Sequence, residues 1–351
     1  MSPAAEPRNP KANRGFRVVA IGGGTGLSTI LKGLKRYTNT PGEPKPPGPY
    51  VSELTAVVTV SDDGGSSGRL RRELNMLPPG DIRNCLVAVA ADENLISKLF
   101  QHRFSSSGDL EGHNFGNLFL AALTAMTGDF ADAVKKASEI LATRGHILPA
   151  TTANVQLEAE MDDGSQVVGE TKITASERRI VELRMVPRDP EPLPQTLKAI
   201  AEADIITMGP GSLFTSLIPN LLVRGVPQAI AASPAVKIFI CNLMTEANES
   251  LHMSASDHIR AIYAHSGPGI FDFALVNSAP VSAEMKERYA EESAEQVACD
   301  AEAVEDLGVK CITGDFVEEH QVARHATDRL CCEIMELGRI RHTQHPAQAL
   351  R

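Results

Sequence analysis

The sequence lacks tryptophan, has only four tyrosines, and contains no apolar run near the roughly 20 residues that a membrane-spanning helix requires. The scarcity of aromatic side chains disfavours carbohydrate platforms and stacking surfaces for single-stranded nucleic acids. A net charge of −10 argues against a nucleic-acid partner, because binding of a phosphate backbone needs a concentrated basic surface. We therefore expect a soluble protein that binds no nucleic acid and does not insert into a membrane.

Export signals and paired cysteines are missing as well. Residues 1–14 contain no hydrophobic segment of a signal peptide, so they are expected to form a disordered tail of a cytoplasmic protein. The six cysteines show no C-x-x-C spacing, which disfavours zinc sites and structural disulfides.

Short apolar runs that alternate with helical patterns define the fold class. Phe16 to Ile21 is followed by leucines at helical spacing, and Leu54 to Val60 completes a βαβ unit after a proline-rich insertion, Pro41 to Pro49. The alternation of strand and helix resumes at Ala203 to Met208. These patterns predict an α/β fold, with a Rossmann-like open, mainly parallel sheet, helices on both faces and a small β-rich excursion.

The domain organisation follows from the same patterns. Residues 15–340 are expected to form a single α/β nucleotide-binding domain, with the β-rich insertion at about 150–187. A long final helix is expected from about His320 to Arg339, and residues 341–351 are expected to form a frayed tail. We expect the chain to assemble as a homo-oligomer.

A first glycine loop stands where the first predicted strand turns into a helix. Its residues are Gly22, Gly23, Gly24, Thr25 and Gly26. Glycines let the backbone approach a phosphate closely, and a helix N-terminus offers free N–H groups. The loop departs from G-x-G-x-x-G, because Leu27 and Thr29 stand at the third-glycine positions, and it lacks the lysine of a P-loop. It favours an anionic ligand; the alternative is a turn that only packs strand against helix.

An acidic, glycine-rich segment follows the second predicted strand. Asp62 and Asp63 stand where a dinucleotide-binding fold receives a ribose hydroxyl, and they could instead hold Mg²⁺. N–H donors and a guanidinium for phosphate oxygens would come from Gly64, Gly65, Ser66 and Arg69. The alternative is a solvent-exposed turn with a helix cap.

Two further helix starts carry candidate polar residues. Asp81, Arg83 and Asn84 open one helix, where a cation opposes the helix dipole unless an anion lies nearby. Asp81 alone could be a structural cap. His113 and Asn117 begin the most apolar helix, and His113 is either a hydrogen-bonded anchor or a ligand or acid/base group.

A second glycine loop repeats the order of strand, loop and helix late in the chain. Its candidate residues are Gly209, Pro210, Gly211, Ser212 and Thr215, and Asn242 follows the next strand. In an open parallel sheet, ligands bind outside the carboxyl ends of the strands where the strand order reverses. We therefore expect the two glycine loops to converge on one ligand.

Several motifs, taken in order, carry a family resemblance. They are GGGTGLSTILKGLK, VTVSDDGGSSGRLRRE, PPGDIRNCLVA, GHNFGNLFLAAL, GETKI, GPGSLFTSLIPNLL, CNLMTE and SDHI. Over residues 16–260 or beyond, the chain closely resembles the gluconeogenesis factor (YvcK-like) family. That resemblance implies a Rossmann-like protein that recognises UDP-sugars such as UDP-N-acetylglucosamine and supports cell-wall morphogenesis, and hence cell shape, during gluconeogenic growth. No catalysed reaction is firmly implied.

The family is similar in turn to the 2-phospho-L-lactate transferases. This thinner resemblance implies a Mg²⁺-dependent transfer from a nucleotide-diphosphate donor to an alcohol, with Asp62 and Asp63 holding the metal. The order of strand, glycine loop and strand-end acid would also suit an NAD-dependent oxidoreductase, although the missing third glycine counts against it.

The resemblance extends to the C-terminal part of the chain. Arg324 and His325 resemble an Arg-His signature of the family, and Tyr289 lies where the family has a tyrosine after an acidic helix. By resemblance, Arg324 and Tyr289 would clamp the diphosphate and the base. The chain departs from the family at Glu246-Ala247-Asn248, where Gln-Pro-Gly is usual, and at Ala326, where an acid is expected.

Overall fold

The computed structural model describes residues 15–39, 48–91, 95–105 and 108–344. The expected tail at 1–14, residues 41–47 of the proline-rich insertion and residues 345–351 lie outside these described residues. Within the described ranges, no helix is long and apolar enough to cross a membrane.

The strands and helices follow in chain order. The strands are β1 (Phe16–Gly22), β2 (Val51–Val58), β3 (His146–Pro149), β4 (Gln156–Met161), β5 (Gln166–Val168), β6 (Ile180–Val186), β7 (Ile205–Met208), β8 (Val236–Ile240), β9 (Phe273–Asn277), β10 (Lys310–Gly314), β11 (Val317–Glu319) and β12 (Ala323–His325). The helices are α1 (Gly24–Lys35), α2 (Gly65–Leu74), α3 (Gly80–Val89), α4 (Leu95–Gln101), α5 (Phe115–Thr127), α6 (Phe130–Ile140), α7 (Glu170–Thr174), α8 (Pro194–Glu202), α9 (Ile218–Leu221), α10 (Val226–Ala232), α11 (Ala255–Ser266), α12 (Ala283–Glu291), α13 (Ala301–Glu305) and α14 (Thr327–Gln344), with a π-helical turn at Leu213–Leu217 before α9.

A seven-stranded sheet forms the centre of the fold, in the order β10-β9-β8-β7-β1-β2-β3. Each pair of neighbouring strands is parallel. The chain moves outward from β1 through β2 to β3, then returns to β7 on the other side of β1 and moves outward again to β10. The strand order therefore reverses between β1 and β7, where ligands bind in open parallel sheets. The predicted fold class is confirmed.

The central strands are buried on both sides. The strands β7 and β8 are buried along their whole length, and β1 is buried except at Arg17. Continuous apolar strands are typical of parallel sheets whose two faces are covered by helices. Because Ile21 pairs with Met208, β1 and β7 end at the same level, and the two glycine loops that follow them become neighbours.

The β-rich excursion is a three-stranded antiparallel sheet in the order β5-β4-β6. Alternate residues of β4 are buried, as expected of a strand with one solvent-facing side. Helix α7 lies between β5 and β6 in the chain, so the excursion carries Glu170 and Thr171 toward the main sheet.

The final helix begins later than the sequence pattern predicts. Instead of starting near His320, it starts at Thr327, because residues 317–325 form an antiparallel pair of strands, β11 and β12. The pairing of Glu318 with Arg324 places the Arg-His signature on a strand rather than on a helix.

Candidate functional site

A cleft of about 230 Å³ opens at the point where the strand order reverses. The first glycine loop, the second glycine loop, the segment after β8, helix α12 and strand β12 form its walls. Its lining residues are Thr25, Gly26, Thr29, Pro210, Gly211, Asn242, Leu243, Met244, Thr245, Glu246, Tyr289, Ala323, Arg324 and His325. The cleft therefore brings together both glycine loops and the C-terminal residues named by resemblance.

The first glycine loop presents unpaired donors to this cleft. Helix α1 starts at Gly24, so the N–H groups of Thr25 and Gly26 belong to its first turn and have no intrahelical acceptor. The first turn contains no acidic residue. The positive end of the helix dipole therefore faces the cleft without a competing carboxylate of its own helix.

The two glycine loops touch through their backbones at Gly26. A Cβ atom added to Gly26 would lie 2.2 Å from the Pro210 carbonyl oxygen and 3.0 Å from the Gly211 nitrogen. Only a residue without a side chain allows this approach. The sequence predicts that the two loops converge. Their backbone contact explains why position 26 is a glycine.

The donors of the second glycine loop are largely occupied within the protein. Gly211 N–H donates to Asn242 Oδ1 at 3.0 Å, and Asn242 Nδ2 donates to the Gly211 carbonyl at 2.9 Å. Phe214 N–H and Thr215 N–H both donate to Glu249 Oε2, at 2.9 and 3.2 Å, and the Thr215 hydroxyl donates to Glu249 Oε1 at 2.7 Å. The N–H and hydroxyl of Thr215, which the sequence pattern predicts as donors to a ligand, therefore donate to the Glu249 carboxylate instead.

Glu249 and Glu246 form a carboxyl pair beside this loop. Burial and, after it, the charge of Glu246 raise the pKa of Glu249 to about 7, although hydrogen bonds from Thr215 and Phe214 lower it. Burial also raises the pKa of Glu246, whereas a hydrogen bond from Ser212 lowers it. Glu249 was not a predicted site residue, because a single glutamate in a polar segment gives no sequence signal.

A second group of acids, here called the carboxylate cluster, consists of Asp62, Asp63, Asp81 and Glu170. Asp62 Oδ1 accepts from the Gly64 N–H at 2.8 Å. Asp63 Oδ1 accepts from the N–H and the hydroxyl of Thr171, at 2.9 and 2.6 Å.

The other two members connect the cluster to the sheet and to the cleft. The Ser61 hydroxyl donates to Glu170 Oε2 at 3.5 Å, just beyond the end of β2. Asp81 accepts a hydrogen bond from the Gly24 backbone, which joins the carboxylate cluster to the first glycine loop.

The pKa values of two acids in the carboxylate cluster are raised. Burial raises the pKa of Glu170 to about 9, with further contributions from Asp62 and Asp81. Burial and the charge of Asp62 raise the pKa of Asp81 to about 6. Burial is the largest cause of both shifts, and the neighbouring carboxylates add to it. Glu170 was not a predicted site residue, although it lies in the GETKI motif.

Two arginines flank the carboxylate cluster, the buried Arg71 and the half-buried Arg83. Arg83 donates to Asn117 Oδ1 at 2.9 Å and to Asn84 Oδ1 at 2.7 Å, and its Nε is buried without a partner. Burial lowers the pKa of Arg83 and also that of Arg71, although Asp63, Asp62 and Glu170 oppose the shift at Arg71. Arg71 donates to the Ser61 and Val155 carbonyls, a role that no sequence pattern indicated.

His113 is a buried anchor rather than a cleft residue. Its Nδ1 lies 3.1 Å from the Ser66 hydroxyl, which also accepts from the Asn114 N–H at 3.3 Å. Residues 64–68 have the G-x-S-x-G spacing of a nucleophile elbow, but Ser66 is 4% exposed and does not line the cleft. The pair holds the start of α5 against α2. Arg69 donates to the Glu111 carbonyl in the same region.

Most of the predicted residues fall into two neighbouring groups, and the remaining glycine-loop residues lie outside both. Those that line the cleft are Thr25, Gly26, Pro210, Gly211, Asn242, Tyr289 and Arg324. Those in the carboxylate cluster or in the adjacent α2, α3 and α5 are Asp62, Asp63, Gly65, Ser66, Arg69, Asp81, Arg83, Asn84 and Asn117. Gly22, Gly23, Gly24 and Gly64 connect strands to helices, and Gly209, Ser212 and Thr215 lie behind the cleft wall.

The strand β12 positions the basic rim of the cleft. His325 Nε2 donates to the Cys241 carbonyl at 3.0 Å, which ties β12 to the end of β8. Burial lowers the pKa of His325 to about 4, so its ring is neutral near pH 7. Tyr289 is hydrogen-bonded to the Ala323 backbone. These contacts hold the exposed Arg324 at the cleft edge.

The fit of Mg²⁺ depends on the carboxylate cluster. Within the described part of the chain, no group of three or more His, Cys, Asp or Glu side chains is arranged to hold a metal ion. Mg²⁺ is usually bound through one or two carboxylates together with waters and substrate phosphates. If Mg²⁺ binds with a diphosphate, Asp62 and Asp63 would be the two carboxylates that hold it, because they are adjacent in the carboxylate cluster.

Comparison with known proteins agrees with this architecture. A family model described as 2-phospho-L-lactate transferase CofD matches residues 18–317. The chain is 46% identical over 322 residues to the gluconeogenesis factor of Bacillus subtilis, covering 92% of this chain and 98% of that protein. It is 41% identical over 322 residues to the gluconeogenesis factor of Listeria innocua, covering 92% of this chain and 95% of that protein.

A solved structure shows the same fold. The crystal structure of a UPF0052 family protein from Bacillus halodurans superposes with a TM-score of 0.86 at 46% identity, covering 92% of this chain and 99% of that chain. The family match, the relatives and the superposition agree over most of the chain. The chain therefore belongs to the CofD family and, within it, to the gluconeogenesis factors.

Proposed function

We propose that the protein is a regulatory binding protein for a nucleotide sugar, a UDP-sugar such as UDP-N-acetylglucosamine. It acts in the cytoplasm, as a homo-oligomer, on cell-wall synthesis and cell shape during gluconeogenic growth. The observation that carries the proposal is the cleft at the two glycine loops, which is lined by Arg324 and by Thr25 and Gly26 of the first turn of α1.

The chemistry of the cleft suits a diphosphate attached to an aromatic base. The N-terminus of α1 supplies N–H donors and a positive dipole end to phosphate oxygens. Arg324 lines the same cleft and would supply a guanidinium fork, and the Tyr289 ring would supply a stacking face for the base. Beside their bonds to Gly211 and Glu295, the second Nδ2 hydrogen of Asn242 and the hydroxyl hydrogen of Thr245 would donate to sugar hydroxyls.

Replacing Arg324 by alanine is expected to weaken binding of UDP-N-acetylglucosamine by about 10- to 100-fold, because a charge-assisted hydrogen bond contributes about 1.5–3 kcal/mol. Titration calorimetry of both proteins measures the difference. Arg224→Ala is the matched control, since Arg224 is exposed and pairs with Glu191 away from the cleft. Absence of binding to the wild-type protein at millimolar UDP-sugars would refute the proposed function.

A second candidate function is a Mg²⁺-dependent transferase that uses a nucleotide-diphosphate donor and an alcohol acceptor. The carboxylate cluster favours it, because Asp81 links these acids directly to the first glycine loop. Asp62 and Asp63 would hold Mg²⁺, which would neutralise charge on the diphosphate when bound.

Asp62→Asn tests this candidate. If Mg²⁺ is used, the substitution is expected to remove most of the Mg²⁺ dependence of donor affinity and turnover, measured with and without a chelator. Asp132→Asn on the exposed surface of α6 is the matched control and should behave like the wild type. If Mg²⁺ changes neither quantity in the wild-type protein, the transferase hypothesis is to be discarded.

A further inference from the structure

We propose that Glu246 binds the anionic ligand in its protonated form, donating its carboxyl O–H to a phosphate oxygen, so that each binding event takes up a proton from solvent. This inference rests on the proposed function and adds a regulatory property to the same cleft. It concerns a residue that lines the cleft between the first glycine loop and β12.

The position of Glu246 is fixed by its backbone. Its N–H donates to the Ser250 hydroxyl at 3.0 Å, and its carbonyl accepts from the N–H groups of Glu249 and Ser250 at 3.1 and 2.9 Å. Its carboxyl group accepts a hydrogen bond from Ser212 of the second glycine loop. The carboxyl group therefore stands at the cleft wall beside the loop that brings Pro210 and Gly211 to the ligand.

The nearest acid cannot move away from Glu246. Glu249 is 6% exposed, and its carboxylate is held by Phe214 N–H, Thr215 N–H and the Thr215 hydroxyl. It occupies the donors at the start of the π-helical turn, and with a pKa raised to about 7 it becomes an anion as the pH rises through neutrality. Two ionised carboxylates beside a diphosphate would repel it and each other.

The other charged and titratable groups around the pair do not remove this repulsion. From β12, His325 is held neutral by burial, and Arg324 lies exposed at the cleft edge. From α12, Tyr289 contributes a neutral phenol, because burial raises its pKa above the ordinary value. From α7, burial raises the pKa of Glu170 to about 9, so this acid contributes no positive charge that would offset the repulsion.

Protonation of Glu246 resolves the conflict. It removes one negative charge and converts an acceptor into an O–H donor for the ligand. Burial already raises the pKa of Glu246 in the free protein, and an anion in the cleft raises that pKa further. By linkage, affinity then falls as pH rises, by at most about tenfold per pH unit for one proton.

Titration calorimetry with UDP-N-acetylglucosamine tests the inference. Measurements at several pH values between 5.5 and 8.5, each in two buffers of different ionisation enthalpy, count the protons taken up. The wild-type protein is expected to take up a proton and to lose affinity as pH rises. Glu246→Gln is expected to lose that uptake and to show a flatter pH profile, whereas Glu246→Asp, which keeps a carboxyl group, retains both.

Glu139→Gln on the exposed surface of α6 is the matched control and should keep the wild-type proton count. Binding without proton uptake, or uptake that survives in Glu246→Gln, overturns this inference and leaves the proposed function standing. Absence of binding at every pH overturns both. Thermal denaturation of each variant verifies that the Glu246 substitutions leave the fold intact.

Discussion

Gly26→Ala is expected to abolish measurable nucleotide-sugar binding and to destabilise the protein. The new Cβ would lie 2.2 Å from the Pro210 carbonyl oxygen and 2.7 Å from its carbonyl carbon, so backbone must move on one side of the contact. Overpacking of this kind costs about 1–3 kcal/mol. The movement also displaces the N–H groups that face the ligand, and a shift of about 1 Å in a binding geometry can cost about 100-fold.

Urea denaturation and titration calorimetry measure the two effects of Gly26→Ala separately. Gly108→Ala is the matched control, because a Cβ at Gly108 would meet no atom of the described residues within 4 Å. The control should keep wild-type affinity and stability to within about 1 kcal/mol. Wild-type affinity in Gly26→Ala would contradict the contact between the two loops as a requirement for binding.

The core of the sheet could be predicted because its strands are continuous apolar runs. The strands β1, β2, β7, β8 and β9 each carry such a run. Short continuous apolar runs are typical of strands that are buried on both faces of a parallel sheet. The edge strands β3 and β10 were not predicted. β3 contains His146 and Pro149, and β10 is only partly buried, so neither edge strand shows the pattern of the centre.

The hairpin of β11 and β12 escaped prediction for a different reason. Its residues are largely exposed and carry no alternating apolar pattern, so the sequence pattern places the start of the final helix near His320 instead of at Thr327. Two hydrogen bonds hold the hairpin in place: Ala326 N–H donates to the Phe316 carbonyl, and His325 donates to the Cys241 carbonyl at the end of β8. Neither hydrogen bond can be predicted from the local sequence pattern.

The candidate site also contains some residues that could be predicted from the sequence and others that could not. The glycine loops could be predicted because glycine, strand end and helix start coincide within a few residues. Three other residues of the site could not be predicted, because their partners are distant in sequence: Glu170, Glu249 and Arg71. Glu170 meets Ser61 across 109 positions, and Arg71 meets Val155 across 84.

Glu170→Gln is expected to raise the free energy of unfolding at pH 8, and to change it little at pH 5. The pKa of Glu170 is raised from 4.5 to about 9 in the folded protein, so between these values the unfolded chain binds fewer protons than the folded one. Stability due to this group is therefore present at low pH and is lost as pH rises through that window. Glutamine keeps the shape and hydrogen-bonding capacity but does not titrate. Because Glu170 is not fully buried, we expect a gain of about 1–3 kcal/mol at pH 8.

Urea denaturation of both proteins at pH 5, 6.5 and 8 measures this difference, with a chelator present so that no divalent cation neutralises the carboxylate cluster. Glu177→Gln, at an exposed position shortly after α7, is the matched control and should show no such pH dependence. An equal effect of Glu170→Gln at pH 5 and pH 8 would mean that Glu170 ionises normally in the folded protein. Repeating the pH 8 measurement with Mg²⁺ then extends the test: a cation bound by Asp62 and Asp63 would neutralise the charge around Glu170, and the wild-type protein would recover part of the stability that the glutamine variant gains without it.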